Sequence, residues 1–408
     1  MSPDPPQALG RYYSYLNSAV KIIGDYKGNE PLAYFLKNYF SREKKFGGKD
    51  RRQVTQLCYA YYRLGKAFTD LSFEQRVLLG LRLSSKAVAA PWKELFTIYK
   101  VPDTFSGAVF PWKDRLSNPI DPLAFERSFF VQPDLFLRIR PGHENAVTDK
   151  LHDAGVRFTA ETIVEGQQAL RLENSVKADA VLEMNKEVVI QDLSSQRTAG
   201  LLRRFRSLTV SASQIPTPDA QIAVWDCCAA SGGKSILALD ELGAVQLTVS
   251  DIRPSMIANL KKRFHEAGIK NFRPLVADAA RPDELLSGER FDLVIADVPC
   301  SGSGTWSRTP EQLYFFDEKQ IATYTALQKR ILKNCVRSVR PGGCLLYMTC
   351  SVFKAENEDQ VAFLQELGLE LLEQQVIAGY DQKADTMFGA LLQRKHSASR
   401  RVEVPDHQ

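Results

Sequence analysis

The chain lacks a CxxC pair, any metal-ligand spacing of cysteine, histidine and carboxylate, any internal repeat, and any apolar run near the ~20 residues that a bilayer-spanning helix needs. Its seven cysteines, Cys58, Cys227, Cys228, Cys300, Cys335, Cys344 and Cys350, are scattered over 408 residues. That excludes a disulfide scaffold and points to reduced thiols. The opening MSPDPPQALG has neither a basic segment nor an apolar core, so no secretory leader is expected. A cytoplasmic protein follows, expected to be monomeric, with no membrane and no metal among its partners. At 45.8 kDa and 44% apolar residues, the chain is long enough for two or three domains with real cores.

The net charge of +5 is unremarkable, but its distribution is not. Residues 1 to 100 hold 17 Lys or Arg against 8 Asp or Glu, a local balance of +9 that leaves −4 for the rest. Between Lys37 and Lys66 there are nine basic side chains, interleaved with Tyr39, Phe40, Phe46, Tyr59, Tyr61 and Tyr62. Such a mixture suits phosphate contacts with base stacking. It equally suits a helical domain with a solvated basic face and an aromatic core.

Periodicity divides the chain. Residues 9 to 100 carry apolar residues at helical spacing, as in Val54, Leu57, Cys58, Tyr61 and Leu64. From 101 to 122 Pro, Gly, Asp, Ser and Asn crowd together, predicting a linker or irregular connection. Strands at Asp134–Arg140 and Ala169–Leu172 with a helix at Glu144–Ala154 predict a small α+β module. From Ile222 onward apolar runs at 222–227, 245–251, 272–278, 291–297 and 343–349 alternate with helical stretches. That order predicts an α/β fold with a doubly wound parallel sheet, whose ligands bind beyond the carboxyl ends of the strands. The expected division is a basic helical N-terminal domain with linker at 1–120, the α+β module at 121–185, and the catalytic domain at 186–408.

The strand ends carry the chemistry. The first runs into Asp226-Cys227-Cys228-Ala229-Ala230-Ser231-Gly232-Gly233-Lys234, whose small residues let the backbone approach a ligand at a helix N-terminus. A phosphate-binding loop GxxxxGK[ST] matches Gly233, Lys234 and Ser235 but fails at its first glycine, where Cys228 stands. The competing reading is a methyl-donor site for S-adenosylmethionine. Asp251, at the end of the second strand and 19 residues after Gly232, suits the ribose hydroxyls. Asp278 ends the third strand, on the adenine side, and Asp297 ends the fourth, facing donor and substrate. Any one aspartate could be a helix cap or turn former. Three at successive strand ends argue for a ligand.

Cys300, in Asp297-Val298-Pro299-Cys300-Ser301-Gly302-Ser303-Gly304, and Cys350, in Thr349-Cys350-Ser351, lie where substrate would meet donor. Cys58, Cys335 and Cys344 fall on regular helix or strand patterns and read as small buried hydrophobes. A methyl transfer to carbon 5 of a pyrimidine gives thiols a purpose. Carbon 5 is a poor nucleophile until a thiolate adds to carbon 6. A carboxyl group at Asp297 near N3 would stabilise the charge that develops on the ring. A base must then remove the carbon 5 proton, and a second cysteine suits that release. Spacing does not decide which cysteine attacks.

Three segments, DCCAASGGKS, FDLVIADVPCSGSGTWSRTPE and VRPGGCLLYMTCSVFKAENEDQV, resemble the Nop/Sun (Fmu-type, RsmB-like) family of S-adenosylmethionine-dependent RNA cytosine-5 methyltransferases. The resemblance spans roughly residues 187 to 394 and is strongest over 222 to 360. It implies a Rossmann-like class I methyltransferase domain in which Cys350 attacks and Cys300 helps release. It also places Cys228, Ala229, Ala230, Ser231, Gly232, Gly233, Lys234, Asp251, Asp278 and Asp297 around S-adenosylmethionine, with Lys234 and Asp297 beside the base. The expected activity is methylation of a cytosine in small-subunit rRNA, with tRNA, or a silent RNA-binding or assembly role, as alternatives. The basic N-terminal domain, the α+β module, Arg197, Arg203, Arg204 and Arg206 are expected to hold the RNA backbone. Two departures stand out. The family's usual loop is CAAPGGKT, so Ser231 replaces a proline, which predicts a looser loop, and Ser235 replaces a threonine. Asp385-Thr386-Met387-Phe388 replaces the usual Asp-Gly-Phe-Phe, which puts that strand's contacts in doubt.

Overall fold

A computed structural model describes residues 7–103, 108–211, 221–281 and 288–395. Of the basic stretch from Gln393 to Arg401, the residues from 396 onward lie outside the described residues. Helical periodicity at the N-terminus gives α1 (Gln7–Asp25), α2 (Leu32–Arg42), α3 (Gly48–Tyr62), α4 (Phe73–Ser84) and α5 (Ala90–Ile98). The sequence also sets their starts. Ser72 and Gln75 form a reciprocal capping box at α4, with Ser72 Oγ accepting from the Gln75 amide at 3.2 Å. At α3 the Asp50 carboxylate accepts from the Gly47 amide at 3.0 Å. Leu16, Ile22, Val54, Leu57, Leu78 and Leu95 close a common core.

The turn-rich stretch after α5 is irregular, as expected, but it does not hang free as a linker. Val109 and Phe110 are fully buried, and with Trp112 and Leu116 they pack against Trp306, Phe316 and Phe353 of the C-terminal half. The Ser117 amide donates to the Val352 carbonyl at 2.8 Å. Aromatic residues dispersed among turn formers leave no periodic signal, yet each buries a large apolar area.

After α6 (Pro122–Ser128) comes a four-stranded antiparallel sheet in the order β2-β3-β1-β4, built from β1 (Leu135–Ile139), β2 (Thr159–Val164), β3 (Gln167–Leu172) and β4 (Val188–Ile190), with α7 (Glu144–Asp153) inserted after β1. Both faces are covered. Leu137, Leu170 and Val188 pack on Val147 and Leu151 of α7, while Phe136, Ala169 and Val189 join the core of the following domain. Strand β2 carries no alternating apolar signal, since three of its six residues are exposed and one is buried.

Then follow α8 (Leu193–Arg197), α9 (Ala199–Ser211), β5 (Ile222–Asp226), α10 (Gly233–Leu242), β6 (Val245–Asp251), α11 (Pro254–Glu266), β7 (Arg273–Val276), β8 (Phe291–Asp297), α12 (Pro310–Phe315), α13 (Lys319–Ser338), β9 (Val339–Thr349), α14 (Glu358–Glu366), β10 (Leu369–Ile377) and β11 (Met387–Arg394). The seven-stranded sheet runs β10-β11-β9-β8-β5-β6-β7. Strands β5 to β9 are parallel, matching the five apolar runs; β10 and β11 complete the edge antiparallel. The order reverses between β5 and β8, which opens a crevice at their carboxyl ends. The small sheet is locked on by Asp240 of α10, which takes Arg138 and, at 2.9 Å, Arg140. Among the described residues no helix is long and apolar enough to cross a membrane.

Candidate active site

A cavity of about 400 Å³ lies at that crevice, walled by Cys228, Ala230, Asp251, Asp278, Asp297, Cys300 and Cys350. Strand register explains the convergence. Val224 of β5 lies beside Leu293 of β8, and Asp297 of β8 lies beside Met348 of β9, so the loops after β5, β8 and β9 emerge side by side.

The β5–α10 loop is shaped by its small residues. Ala230 adopts a left-handed φ of 46°, and Gly232, at φ 82°, begins α10. A Cβ on Gly232 would stand 2.7 Å from Phe264 and 3.0 Å from Leu260, so only glycine lets α11 pack this close. Ala229 is buried and its amide donates to the Ser250 carbonyl at 2.9 Å. Ser231, where a looser loop is expected, is held from α11. Arg263 donates to its carbonyl at 3.1 Å and its hydroxyl at 2.9 Å, replacing proline's covalent restraint with a charge-assisted one.

Lys234 Nζ lies 2.7 Å from Asp297 Oδ2. Burial would lower the lysine's pKa, but the Asp297 carboxylate holds it above its ordinary value. The hydroxyl of Ser235 donates to buried Asp226 at 2.6 Å. Burial lifts Asp226 to a pKa of about 7, against that hydrogen bond. Neither Lys234 nor Ser235 is therefore presented to a phosphate or its metal ion, and the phosphate-loop alternative fails on geometry. Asp251 accepts from the Arg253 amide at 2.9 Å, from its Nε at 3.0 Å, and from the Ala230 amide at 3.1 Å. Against burial, which raises it, these bonds hold the Asp251 pKa below the usual carboxylate range. Asp278 reaches the cavity but also accepts from the Ala280 amide at 2.9 Å, so it is turn former and wall at once.

The two cysteines meet across the gap, with Cys300 Sγ 3.3 Å from Cys350 Sγ. That contact and burial push the Cys300 thiol well up, so it keeps its proton. Cys58, Cys335 and Cys344 are buried, as expected of packing residues. Gly304 fits the loop after β8 between two strands. Its amide donates to the Cys350 carbonyl at 2.9 Å, its carbonyl accepts from the Thr386 amide at 2.9 Å, and a Cβ there would stand 1.9 Å from the Thr386 carbonyl oxygen. The Asp385–Phe388 segment thus meets the Cys300 loop through the Thr386 backbone, and the Thr386 hydroxyl accepts from the Gly379 amide at 3.3 Å.

Sequence reasoning missed two groups. Glu356, fully buried beneath both cysteine loops, accepts from the Ser301 amide at 2.8 Å and from the hydroxyls of Ser301 at 2.6 Å and Ser351 at 2.5 Å. Arg308 joins Asp385 at 2.9 Å, Asp192 at 2.6 Å and the Asp134 carbonyl at 3.1 Å, tying the Cys300 loop to the small sheet. Burial and the Asp192 charge lift Asp385 to a pKa of about 7 despite Arg308. Ser301 lies 55 residues from Glu356 and Asp385 77 from Arg308, so only the fold reveals these pairings. The arginines expected to hold RNA are mostly engaged within the chain. Arg197 donates to Gln382 at 2.8 Å, Arg203 pairs with Glu241 at 2.7 Å, and Arg206 donates to the Glu241 carbonyl at 3.0 Å; Arg204 is exposed.

The solved structure of PH0851 shares this fold over 97% of the chain and 100% of its own, at TM-score 0.68 and 19% identity. NSun6 from Pyrococcus horikoshii, solved with SFG, superimposes at TM-score 0.55 and 15% identity over 69% of this chain and 96% of its own. Ribosomal RNA small subunit methyltransferase B of Xylella fastidiosa (strain 9a5c) is 33% identical over 235 residues, 56% of this chain and 51% of that one. Its namesake in Salmonella newport (strain SL254) is 29% identical over 242 residues, 57% and 52% of the two chains. The chain thus spans about half the length of the curated relatives it matches. Residues 213–394 match the model of the family described as 16S rRNA methyltransferase RsmB/F.

Proposed function

We propose that this protein is an S-adenosylmethionine-dependent RNA cytosine-5 methyltransferase acting on small-subunit rRNA through a covalent adduct at Cys350. The observation that supports it most is the placement of two reduced thiols 3.3 Å apart beside a Lys234–Asp297 pair, at the carboxyl edge of the sheet. The relatives' names supply the rRNA substrate class, and NSun6, which shares the fold, was solved with SFG.

The residues present fit the cofactor. The left-handed Ala230 turn and Gly232 leave room for it, Asp251 offers a carboxylate for ribose hydroxyls, and Asp278 borders the adenine side. The Arg253 guanidinium, exposed over half its side chain, occupies the outward lone pairs of Asp251 and must swing away for a ribose to bind. When bound, S-adenosylmethionine supplies an electrophilic methyl group.

The Cys350 thiolate adds to cytosine carbon 6, forming a C–S bond and raising electron density at carbon 5. Asp297, held by Lys234, is placed to hydrogen-bond N3 as charge builds on the ring. The choice between the cysteines, open from spacing alone, follows the resemblance carried by Thr349-Cys350-Ser351, which implies that Cys350 attacks and Cys300 serves release. Once Cys350 is a thioether, the charge opposing Cys300 is gone. Cys300 then yields its proton to water and takes the one on carbon 5; the C5=C6 bond re-forms and the C–S bond breaks back onto Cys350. The target base must leave its stack to reach these thiols. The exposed lysines and arginines of residues 1–120 hold the RNA by its phosphates.

The test incubates wild type and Cys300→Ala with cellular RNA and labelled methyl donor. Transfer by wild type, and a denaturation-resistant protein–RNA adduct with Cys300→Ala that requires Cys350, are the expected results. Absence of both transfer and adduct overturns the reading in favour of a binding factor.

A further inference from the structure

We propose that Glu356 is a positioning residue for the release cysteine: it sets where Cys300 stands and has much less hold over Cys350. The inference rests on the roles proposed above for the two thiols and adds the group that makes them unequal.

Glu356 is fully buried and touches no cavity wall directly, so it acts through its neighbours. Its two oxygens take three donors, of which two, the amide and the hydroxyl, belong to Ser301, next to Cys300. The third is the hydroxyl of Ser351, next to Cys350. The surroundings of the two cysteines then differ. The Cys350 turn is secured by several bonds that do not involve Glu356. The Cys350 carbonyl accepts from the Gly304 amide at 2.9 Å, Asn357 Nδ2 donates to the Ser351 carbonyl at 2.9 Å, and the Val352 amide donates to Ser303 Oγ at 2.9 Å. On the other side, the groups that reach Ser301 from outside its own loop are Glu356 and the Ser351 hydroxyl, at 3.2 Å. Before Cys300, the Pro299 carbonyl is held by Gln328 at 3.0 Å. Cys300 thus lies between the Val298 and Pro299 anchors behind it and, ahead of it, Glu356 on the adjacent Ser301, while Ser303 and Gly304 tie only the far end of its loop to the Cys350 turn.

Weakening Glu356 therefore frees Cys300 while Cys350 stays in place. Attack proceeds: the Cys350–C6 bond forms and carbon 5 is methylated. Release is slowed, because the proton on carbon 5 must pass to Cys300 as its electron pair forms C5=C6 and the C–S bond breaks onto Cys350. A carboxylate that only held the fold together would slow both steps alike.

The experiment uses the full chain as wild type, Glu356→Gln, Ser301→Ala and Cys300→Ala. Adduct is measured on total RNA with labelled S-adenosylmethionine, and separately on RNA carrying 5-fluorocytidine, where carbon 5 has no proton to lose, so that attack and methyl transfer are recorded without release. Glu356→Gln should accumulate roughly tenfold more denaturation-resistant adduct than wild type on ordinary RNA while trapping 5-fluorocytidine RNA at about the wild-type rate. Ser301→Ala, at a partly exposed site and retaining the Ser301 amide bond, should move the same way by a smaller factor, which keeps the test decisive if Glu356→Gln folds poorly. Parallel loss of both trapping and turnover, or wild-type adduct levels in both variants, overturns the proposal. If Cys300→Ala itself accumulates nothing, the assignment of the thiols falls first and this inference with it; if Cys300→Ala accumulates adduct and the others do not, only this inference falls.

Discussion

The basic helices and the strand-edge cleft were both marked in the sequence by chemically suggestive residues, and the fold treats them in opposite ways. At the cleft, residues as far apart as Lys234, Asp297, Cys300 and Cys350 converge on one space. In the helices, the interleaved cations and aromatics part company. Tyr61 and Tyr62 are 3% and 1% exposed, Phe40 and Phe46 are buried, and Arg76 lies over the Tyr61 ring at 4.8 Å and the Tyr314 ring at 5.7 Å. Tyr61 and Tyr62 dock the helices onto Tyr314 and Phe315 of α12, and Phe40 and Phe46 pack on each other, rather than waiting for bases. Arg63, one of the nine cations, is buried too and donates to the Ser307 carbonyl at 3.1 Å. The others, including Lys49 and Arg52, are exposed. Composition reported what residues the region has; strand-end position reported where residues must point.

The sharpest way to break this contrast is at the cleft. Cys350→Ala should lose methyl transfer by roughly four orders of magnitude or more while still binding RNA, because the covalent route has no substitute. Parallel turnover and filter-binding assays check it. Normal turnover would return the cleft to the status of the helices, a suggestive pattern without the proposed chemistry.

Legibility follows the same division. The five parallel strands could be read because several are near-continuous apolar runs alternating with helical stretches, and the aspartates and cysteines at their ends needed only that topology. Strand β4, three residues long, and the antiparallel pair β10–β11 gave little such signal of their own. Glu356 and Arg308 could not be assigned roles either. Their partners lie 55 and 77 residues away, at Ser301 and Asp385, and a buried carboxylate in a charged stretch such as KAENEDQV looks like any exposed one until its burial is known. The buried plug around Phe110 and Trp112 was hidden by turn formers on both sides.

In the helices, aromatic and basic substitutions should separate. Tyr61→Ala should cost about 3 kcal/mol of stability, as large buried side chains do, and leave the salt dependence of RNA binding unchanged in the folded fraction. Thermal melting and binding measured over a salt series check both halves. A Tyr61 variant that folds normally but loses RNA affinity would restore the stacking reading. Lys49→Ala with Arg52→Ala should do the reverse. These two exposed cations line a groove with Arg11 and Tyr12, and removing both should lower the salt slope by roughly 1.5 and the affinity by about tenfold, with kcat at saturating RNA unchanged. An unaltered slope would move the RNA path off this face.

The smallest effect sharpens the comparison within the cleft itself, where one family position has exchanged a covalent restraint for a hydrogen-bonded one. Ser231 stands where proline is usual, and Arg263 reaches it from α11 while its Nε donates to Asn185 Oδ1 at 3.0 Å. Asn185 in turn donates to Glu266 at 2.7 Å, so the guanidinium is oriented before it meets the loop. Ser231→Ala keeps the bond to the backbone carbonyl and loses the one to the hydroxyl. It should therefore weaken S-adenosylmethionine binding only several-fold, about 1 kcal/mol, with little change in melting temperature. Arg263→Ala removes both bonds and should weaken binding more. Because the two residues share one contact, the double variant should resemble Arg263→Ala alone in calorimetric titration. Additive losses would mean that the Ser231 hydroxyl meets the cofactor directly rather than through the loop's shape.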